Sequence, residues 1–303
     1  MAELFGEAFV EVGDVETGMR WYERAVAAPD GKASMKAAEQ LANVRGRLAW
    51  EIVDQAQRHL DKMKAREKAR GLADKARRAA RRAHVDAQRS LRLAVERADN
   101  LIDESLALLT KLVAVKQTME RASLIGSAYK RRALVDGAAG RRGRMQRDLR
   151  QMSVSYRNAE IVGAASGSSD LFYPLSNRLA AEVAQHAGKP RWRSLDRKTA
   201  NILRASLKAK SEDPDFWSVV GETELDQYDA LAQKKLASAL KKLNRAYQDL
   251  HKRVTATRMW ASVYDTACLV LPNYASRTTG KERAAANDLL AQLRTFAHPE
   301  ADQ

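Results

Sequence analysis

Between Leu48 and Leu109 the chain carries no proline and a single glycine, Gly71, in a stretch dominated by Ala, Arg, Leu, Glu, Gln and Lys. Residues of these kinds lose the least freedom on entering a helix, so the run dictates helix over roughly 60 positions. Apolar residues agree: Ile52, Val53, Ala56, Leu60 and Met63 run out, and Leu72, Ala76, Ala79, Ala80, Ala83, Ala87, Leu91 and Ala94 run back, mostly at helical steps of 3 and 4. The rest of the chain does not contradict it. Fifteen Gly, six Pro and five Phe among 303 residues are too few turn formers and aromatics for a sheet protein. An all-α fold is predicted.

A repeat lies beneath the helices. Ile125, Gly126 and Tyr129 follow the large-Gly-x-x-Tyr pattern of a first tetratricopeptide helix, where Gly permits close helix approach. Gly18, Tyr22 and Ala25 fit a second helix that Pro29 stops, with its first helix read as partly missing; Ala38, Leu41 and Ala42 fit another first helix. Counting between these frames leaves about 50 residues, roughly 51–100, inserted between the two helices of one repeat. Tyr156 and Ala159 fall about 14 residues late in the next repeat, which places a second insertion at about 137–150. The first insertion reads as a projecting helical hairpin with its tip near Gly71, or alternatively as one helix running through that glycine. The second, with three Gly among five Arg, reads as a flexible Arg-rich loop leading into a helix. The predicted fold is therefore a TPR-like helical-repeat solenoid with a long projecting basic hairpin. Its expected domains are 1–162, carrying both insertions, and 163–303, further helical repeats beyond the break GAASGSSD, whose Asp170 is expected to cap the next helix.

The formal charge of +15 is focused rather than spread: Lys62–Arg92 carries +9 and Lys130–Arg150 carries +6, so the remaining residues sum to zero. Both windows coincide with the insertions, and repeat proteins present insertions on one face. Arg77, Arg78, Arg81, Arg82 and Arg89 in the first, with Arg141, Arg142, Arg144 and Arg147 in the second, are the candidate residues for an anionic partner. Neither window contains Phe, Tyr or Trp, so base stacking is not on offer there and phosphate or carboxylate contact remains. A solvated helix face is the competing reading.

Catalysis finds little footing. The five histidines have no metal-ligand spacing and read as lone surface residues, no phosphate loop or nucleophile elbow occurs, and Cys268 is the only cysteine. A single cysteine, a charged N-terminus and the lack of an uncharged stretch of about 18 residues lead to the expectation of a soluble, cytoplasmic protein without metal or cofactor. Farther along, helices are predicted from Tyr173 to His186, Asn201 to Lys208, twice within Leu225–Val254, from Met259 to Leu271, and from Arg283 to Ala297, with Pro272 and Gly280 between the last two.

Across KAAEQLANVRGRLA, ASLIGSAYKRRA, SYRNAE, DLFYPLSN and DPDFW, the chain resembles bacterial tetratricopeptide-type proteins whose repeats accompany CHAT caspase-like peptidases or other effectors, and is similar to the TRAFs-binding region of signalling kinases. The resemblance spans about residues 18–272. It implies a sensor or adaptor in bacterial signalling or defence, with a CHAT-type protease or another effector as the protein partner. The chain lacks the CHAT peptidase and its His and Cys pair, so proteolysis is not implied. A non-catalytic adaptor with basic insertions on an anionic partner is the expected function; the alternative is a nucleic-acid-binding subunit of a defence complex that grips duplex phosphates.

Overall fold

A computed structural model of the chain describes residues 1–29, 31–69 and 73–299, and among them finds twelve α-helices and no strand. These are α1 (Ala2–Glu11), α2 (Val15–Val26), α3 (Met35–Glu67), α4 (Asp74–Val115), α5 (Met119–Ala138), α6 (Arg142–Ala165), α7 (Phe172–His186), α8 (Arg197–Lys210), α9 (Phe216–Ala232), α10 (Leu236–Arg253), α11 (Thr257–Ala275) and α12 (Gly280–Ala297). They form two compact units, Met1–Lys116 with Ser127–Met145, and Gln117–Gly126 with Gln146–Gln303. The division falls inside α5 and α6. Gly163, at the expected division of 1–162 from 163–303, is closely packed, since a Cβ on it would meet Met119 Sδ at 2.5 Å and Leu171 Cδ2 at 2.8 Å.

In the first unit the opening helix pair is whole. Asp14 caps α2 by accepting from Thr17 N. A Cβ on Gly6 of α1 would stand 3.0 Å from the Tyr22 ring, so the pair closes on a position without a side chain. The first helix expected to be partly missing is therefore present, with Phe5, Gly6 and Phe9 in the places of the large residue, Gly and aromatic.

α3 and α4 are two antiparallel helices, 33 and 42 residues long, or about 50 and 63 Å at 1.5 Å per residue. Direction follows from the pairs Ser105 Oγ to Ala42 O at 2.7 Å, Arg45 to Glu104 at 3.3 Å, and His84 to Glu67 near the far end. Ser105 stands opposite Ala42 as Tyr22 stands opposite Gly6, but the separation is 63 residues rather than 16, an excess of 47. The inserted segment thus lengthens both helices of one repeat, with Val53, Met63, Ala87, Val95 and Ala98 buried as the legs pack together. The expected tip at Gly71 lies outside the described residues.

The same device recurs at α5 and α6, where a Cβ on Gly126 would come within 2.8 Å of the Tyr156 ring, across a separation of 30 residues. The 14 extra residues were expected as a flexible loop leading into a helix over 137–150; they are helix, apart from a turn at 139–141. Gly140 supplies the turn with φ +71°, and Arg141 N closes it onto Asp136 O at 2.8 Å. Beyond it Met145, Leu149, Met152 and Tyr156 are buried at steps of 4, 3 and 4, and that amphipathic pattern outweighs Gly143, which costs only about 1 kcal/mol in a helix.

The rest of the second unit is built around α7, which packs on α8, α9 and α11. Leu171, not Asp170, is the N-cap residue of α7, and the Asp170 carboxylate lies 3.8 Å from Lys210 Nζ instead. Asp215 and Ser218 form a reciprocal capping box on α9. Pro272 was expected to separate two helices but sits inside α11, whose Val270, Leu271 and Tyr274 are fully buried and hold the turn closed against the missing donor. Glu282 of α12 reaches across to accept from Leu236 N at 2.9 Å, Ala237 N at 3.2 Å and the Tyr274 hydroxyl at 2.6 Å, which satisfies the opening of α10.

Two glycines separate tight packing from local propensity. Gly126→Ala forces a methyl against the fully buried Tyr156 ring and is expected to destabilise by about 1–3 kcal/mol. Gly143→Ala meets nothing within 4 Å and is expected to stabilise by up to about 1 kcal/mol. Urea unfolding of the two variants checks both; a Gly126→Ala protein as stable as the parent contradicts the close approach.

Candidate functional site

The first basic window lies on one long helix. α4 turns Ala87, Val95 and Ala98 toward α3, and Arg77, Arg78, Arg81, Arg82 and Arg89 stand exposed. Arg78, Arg81, Arg82 and Arg89 have no ion-pair partner among the described residues; Arg77 interacts within the chain. Nearer the base, Arg97 pairs with Glu16 of α2 at 2.8 Å. The outer part of α4 is therefore a cationic surface on which Arg78, Arg81, Arg82 and Arg89 are displayed to solvent.

The second window divides differently. Arg141 donates from both terminal nitrogens to Asp99 of α4, at 2.7 and 2.9 Å, and its Nε lies 2.6 Å from the fully buried carboxylate of Asp136 on α5. The bidentate bond to Asp99 holds the Arg141 proton more firmly than usual, with Asp136 adding to it. Arg144 approaches the same two carboxylates at 3.7 and 3.5 Å. Arg131 is buried, bonded to Ser127 Oγ at 2.7 Å with its stem beside Gly46, and Arg132 pairs with Asp103. Four arginines that looked like surface charge in the sequence thus tie α3, α4, α5 and the start of α6 together. Arg142 and Arg147 are exposed, as is Arg150.

Sequence reasoning missed a groove in the second unit. It has a volume of about 600 Å³ and lies among α6, α7 and the start of α8. α6 contributes Ser153, Arg157, Glu160 and Ile161; α7 contributes Arg178, Glu182, Gln185 and His186; Asp196, Lys198 and Thr199 close one end. Arg178 is clamped by Glu160 and by the Thr199 hydroxyl, with Asp196 at 3.5 Å. Glu182 accepts from Asp196 N and from Trp192 Nε1, each at 3.1 Å, and burial pushes its carboxyl up all the same. The Thr199 hydroxyl and the backbone N–H groups at the start of α8 hold the Asp196 carboxyl down, and burial lowers His186. Arg157 and Lys198 remain exposed at the rim, and Ile161 is 57% exposed. Such a groove offers both signs of charge beside apolar surface. Its signal in sequence was faint, since i, i+4 polar positions on three helices look like solvated faces. The ten residues 189–198 hold five basic residues and one acid, but acids elsewhere cancel them in the total.

Four of the five histidines are not lone surface residues, while His59 stands exposed on α3. His251 stacks on Phe296 with centroids 4.1 Å apart and meets Trp260 edge-on, His186 lies beside Trp192, His298 meets Tyr264, and His84 pairs with Glu67. They serve packing. No cluster of three or more His, Cys, Asp or Glu placed to hold a metal occurs among the described residues, and no described helix is long and apolar enough to cross a membrane.

A family model for tetratricopeptide-repeat sensors (Tetratricopeptide Repeats-Sensor) matches residues 65–182, from the outer end of α3 through most of α7. No curated protein and no solved structure matches the chain. The helix pairs and this match, which covers under half of the chain, together make the fold an all-α helical repeat of the tetratricopeptide type, a kind of repeat that generally mediates protein–protein interaction.

Two predictions separate scaffold from surface. Arg141→Gln strands Asp136 without its nearest cation and is expected to cost about 3 kcal/mol, with Arg144 supplying partial compensation, whereas Arg142→Gln and Arg147→Gln are expected to change stability by less than about 0.5 kcal/mol. Chemical denaturation ranks them, and equal stabilities would refute the clamp. Asp196→Ala is expected to cost about 1 kcal/mol at pH 7 by uncapping α8. Because the Asp196 pKa is lowered by folding, that contribution is present above the ordinary carboxyl value and fades as pH falls through the lowered one. Parent and variant melting curves should therefore converge in strong acid.

Proposed function

We propose that this chain is a non-catalytic helical-repeat adaptor and sensor that holds a protein partner in the α6–α7–α8 groove and an anionic partner on its basic hairpin. The observation that carries the reading is the open groove between successive repeat helices, with Ile161 and the rim cations Arg157 and Lys198 turned outward. The setting we propose is a bacterial signalling or defence complex in the cytoplasm, with a CHAT-type protease or another effector as the groove's occupant. The sensor-family match over residues 65–182 supports the adaptor role, and the resemblance of the repeat stretches supports the effector class. For the anionic partner we propose Arg77, Arg78, Arg81, Arg82, Arg89, Arg142 and Arg147 as contacts. Arg141 and Arg144 join them only through what their ion pairs leave free.

A second reading has its own observation. Arg78, Arg81, Arg82 and Arg89 are unpaired among the described residues, so a nucleic-acid-binding subunit of a defence complex would find cations ready for phosphates. Salt separates the two readings, since each phosphate neutralised adds about 0.9 to the slope of log affinity on log salt.

The test begins with affinity capture from the native host and mass spectrometry to identify the partner. Two variants are then titrated against it, Ile161→Glu with Arg157→Glu in the groove, and Arg77, Arg78, Arg81 and Arg82 together changed to Gln on the hairpin. The groove variant is expected to weaken the protein partner at least about tenfold, or 1.4 kcal/mol, with the hairpin variant unaffected. Loss of duplex-DNA binding in the hairpin variant, with a steep salt slope in the parent, would favour the second reading. Parent-like binding by the groove variant would remove the groove from the adaptor role.

A further inference from the structure

The outer face of α4 carries a pattern more specific than positive charge. Arg78, Arg82, Val85, Arg89, Arg92 and Glu96 follow one another at steps of 4, 3, 4, 3 and 4. A mean step of 3.6 nearly matches the helix period, so these six side chains form an almost straight line along one side, about 27 Å long at 1.5 Å per residue. All six are exposed, on the side opposite the buried Ala87 and Ala98. Arg78, Arg82, Arg89 and Arg92 have no ion-pair partner among the described residues.

Two members of this surface do not belong to a phosphate site. Val85 is 56% exposed in the middle of the line and Leu93 is 58% exposed beside it, although both stand on a helix with an apolar face of its own to fill. A sugar-phosphate backbone gains nothing from either. A helix from another protein uses both apolar residues and the arginines. Its apolar residues would cover Val85 and Leu93, and carboxylates on the same seam would pair with the arginines on either side, as in helix pairs that combine a packed seam with flanking charge.

We propose that the outer face of α4 docks an acidic amphipathic helix of a partner protein, seated on Val85 and Leu93 and gripped by Arg78, Arg82, Arg89 and Arg92. The proposal rests on the hairpin's being the surface for an anionic partner, and commits that partner to protein rather than nucleic acid. The occupant's chemistry follows from the seam: Glu or Asp at steps of 3 and 4, with one or two Leu or Val between them.

The test titrates the whole protein with three labelled probes by fluorescence anisotropy. One is a synthetic helical peptide with Glu, Glu, Leu, Glu and Glu at alternating steps of 4 and 3; the second has the same composition with the Glu positions scattered around the helix; the third is a 20-base-pair DNA duplex. The patterned peptide is expected to bind at least tenfold more tightly than the scattered one. Val85→Ser with Leu93→Ser should erase that preference without changing the melting temperature, since both positions face solvent, and Arg82→Gln with Arg89→Gln should weaken the patterned peptide tenfold or more. Equal binding of the two peptides overturns the proposal. So does duplex binding tighter than the patterned peptide and indifferent to Val85 and Leu93, an outcome that would leave the anionic surface intact with nucleic acid as its partner. If neither peptide nor duplex binds, the anionic surface itself fails, and the docking helix with it.

Discussion

Everything in the repeats depends on how closely two helices can approach at one point. At Gly6 against Tyr22 and at Gly126 against Tyr156, the absence of a side chain on one helix admits an aromatic ring from the next; at Ala42 against Ser105, a small residue and a hydroxyl do the same with a hydrogen bond. Fixing that point fixes the pair. What happens farther out along the two helices is then free to vary, because additional turns added equally to both legs keep the same faces together. This is how helix pairs with separations of 16, 30 and 63 residues can share one packing scheme. The lengthening must be paired, since a single long leg would expose its apolar stripe to water.

The legible part of the sequence was the part governed by periodicity. Helix class, the two long legs and the size of both insertions follow from apolar spacing and from counting between Gly and Tyr. The character of the second insertion did not, because three glycines among arginines have the composition of a loop, and only Met145, Leu149, Met152 and Tyr156 taken together reveal the buried stripe that makes it helix. The opening helix reads as partly missing from the sequence for a related reason: Phe stands at Phe9 where the pattern has Tyr. Pro272 misled because a rule about local donors was applied where burial of its neighbours decides.

Charge was legible in amount but not in use. A sequence window cannot distinguish an arginine that reaches a carboxylate 42 residues earlier from one that reaches water, and Arg141 and Arg142 are adjacent examples of each. Desolvation accounts for the difference. Asp136 is fully buried, so a guanidinium must accompany it, and Arg141 is placed by the tight turn to do so. The groove was hidden for the converse reason: its walls come from α6, α7 and α8, and no one helix supplies more than four of its eleven lining residues.

The hairpin also has a mechanical side. From Asp99, where Arg141 fastens α4, to Asp74 at its outer end is 25 residues of helix without proline, an arm of about 37 Å. A force applied near the outer end acts on that fastening with the whole arm as its lever, while the fastening bonds are each under 3 Å long. A load on the outer hairpin therefore reaches this fastening together with the other pairs at its base, Arg97 with Glu16 and Arg132 with Asp103.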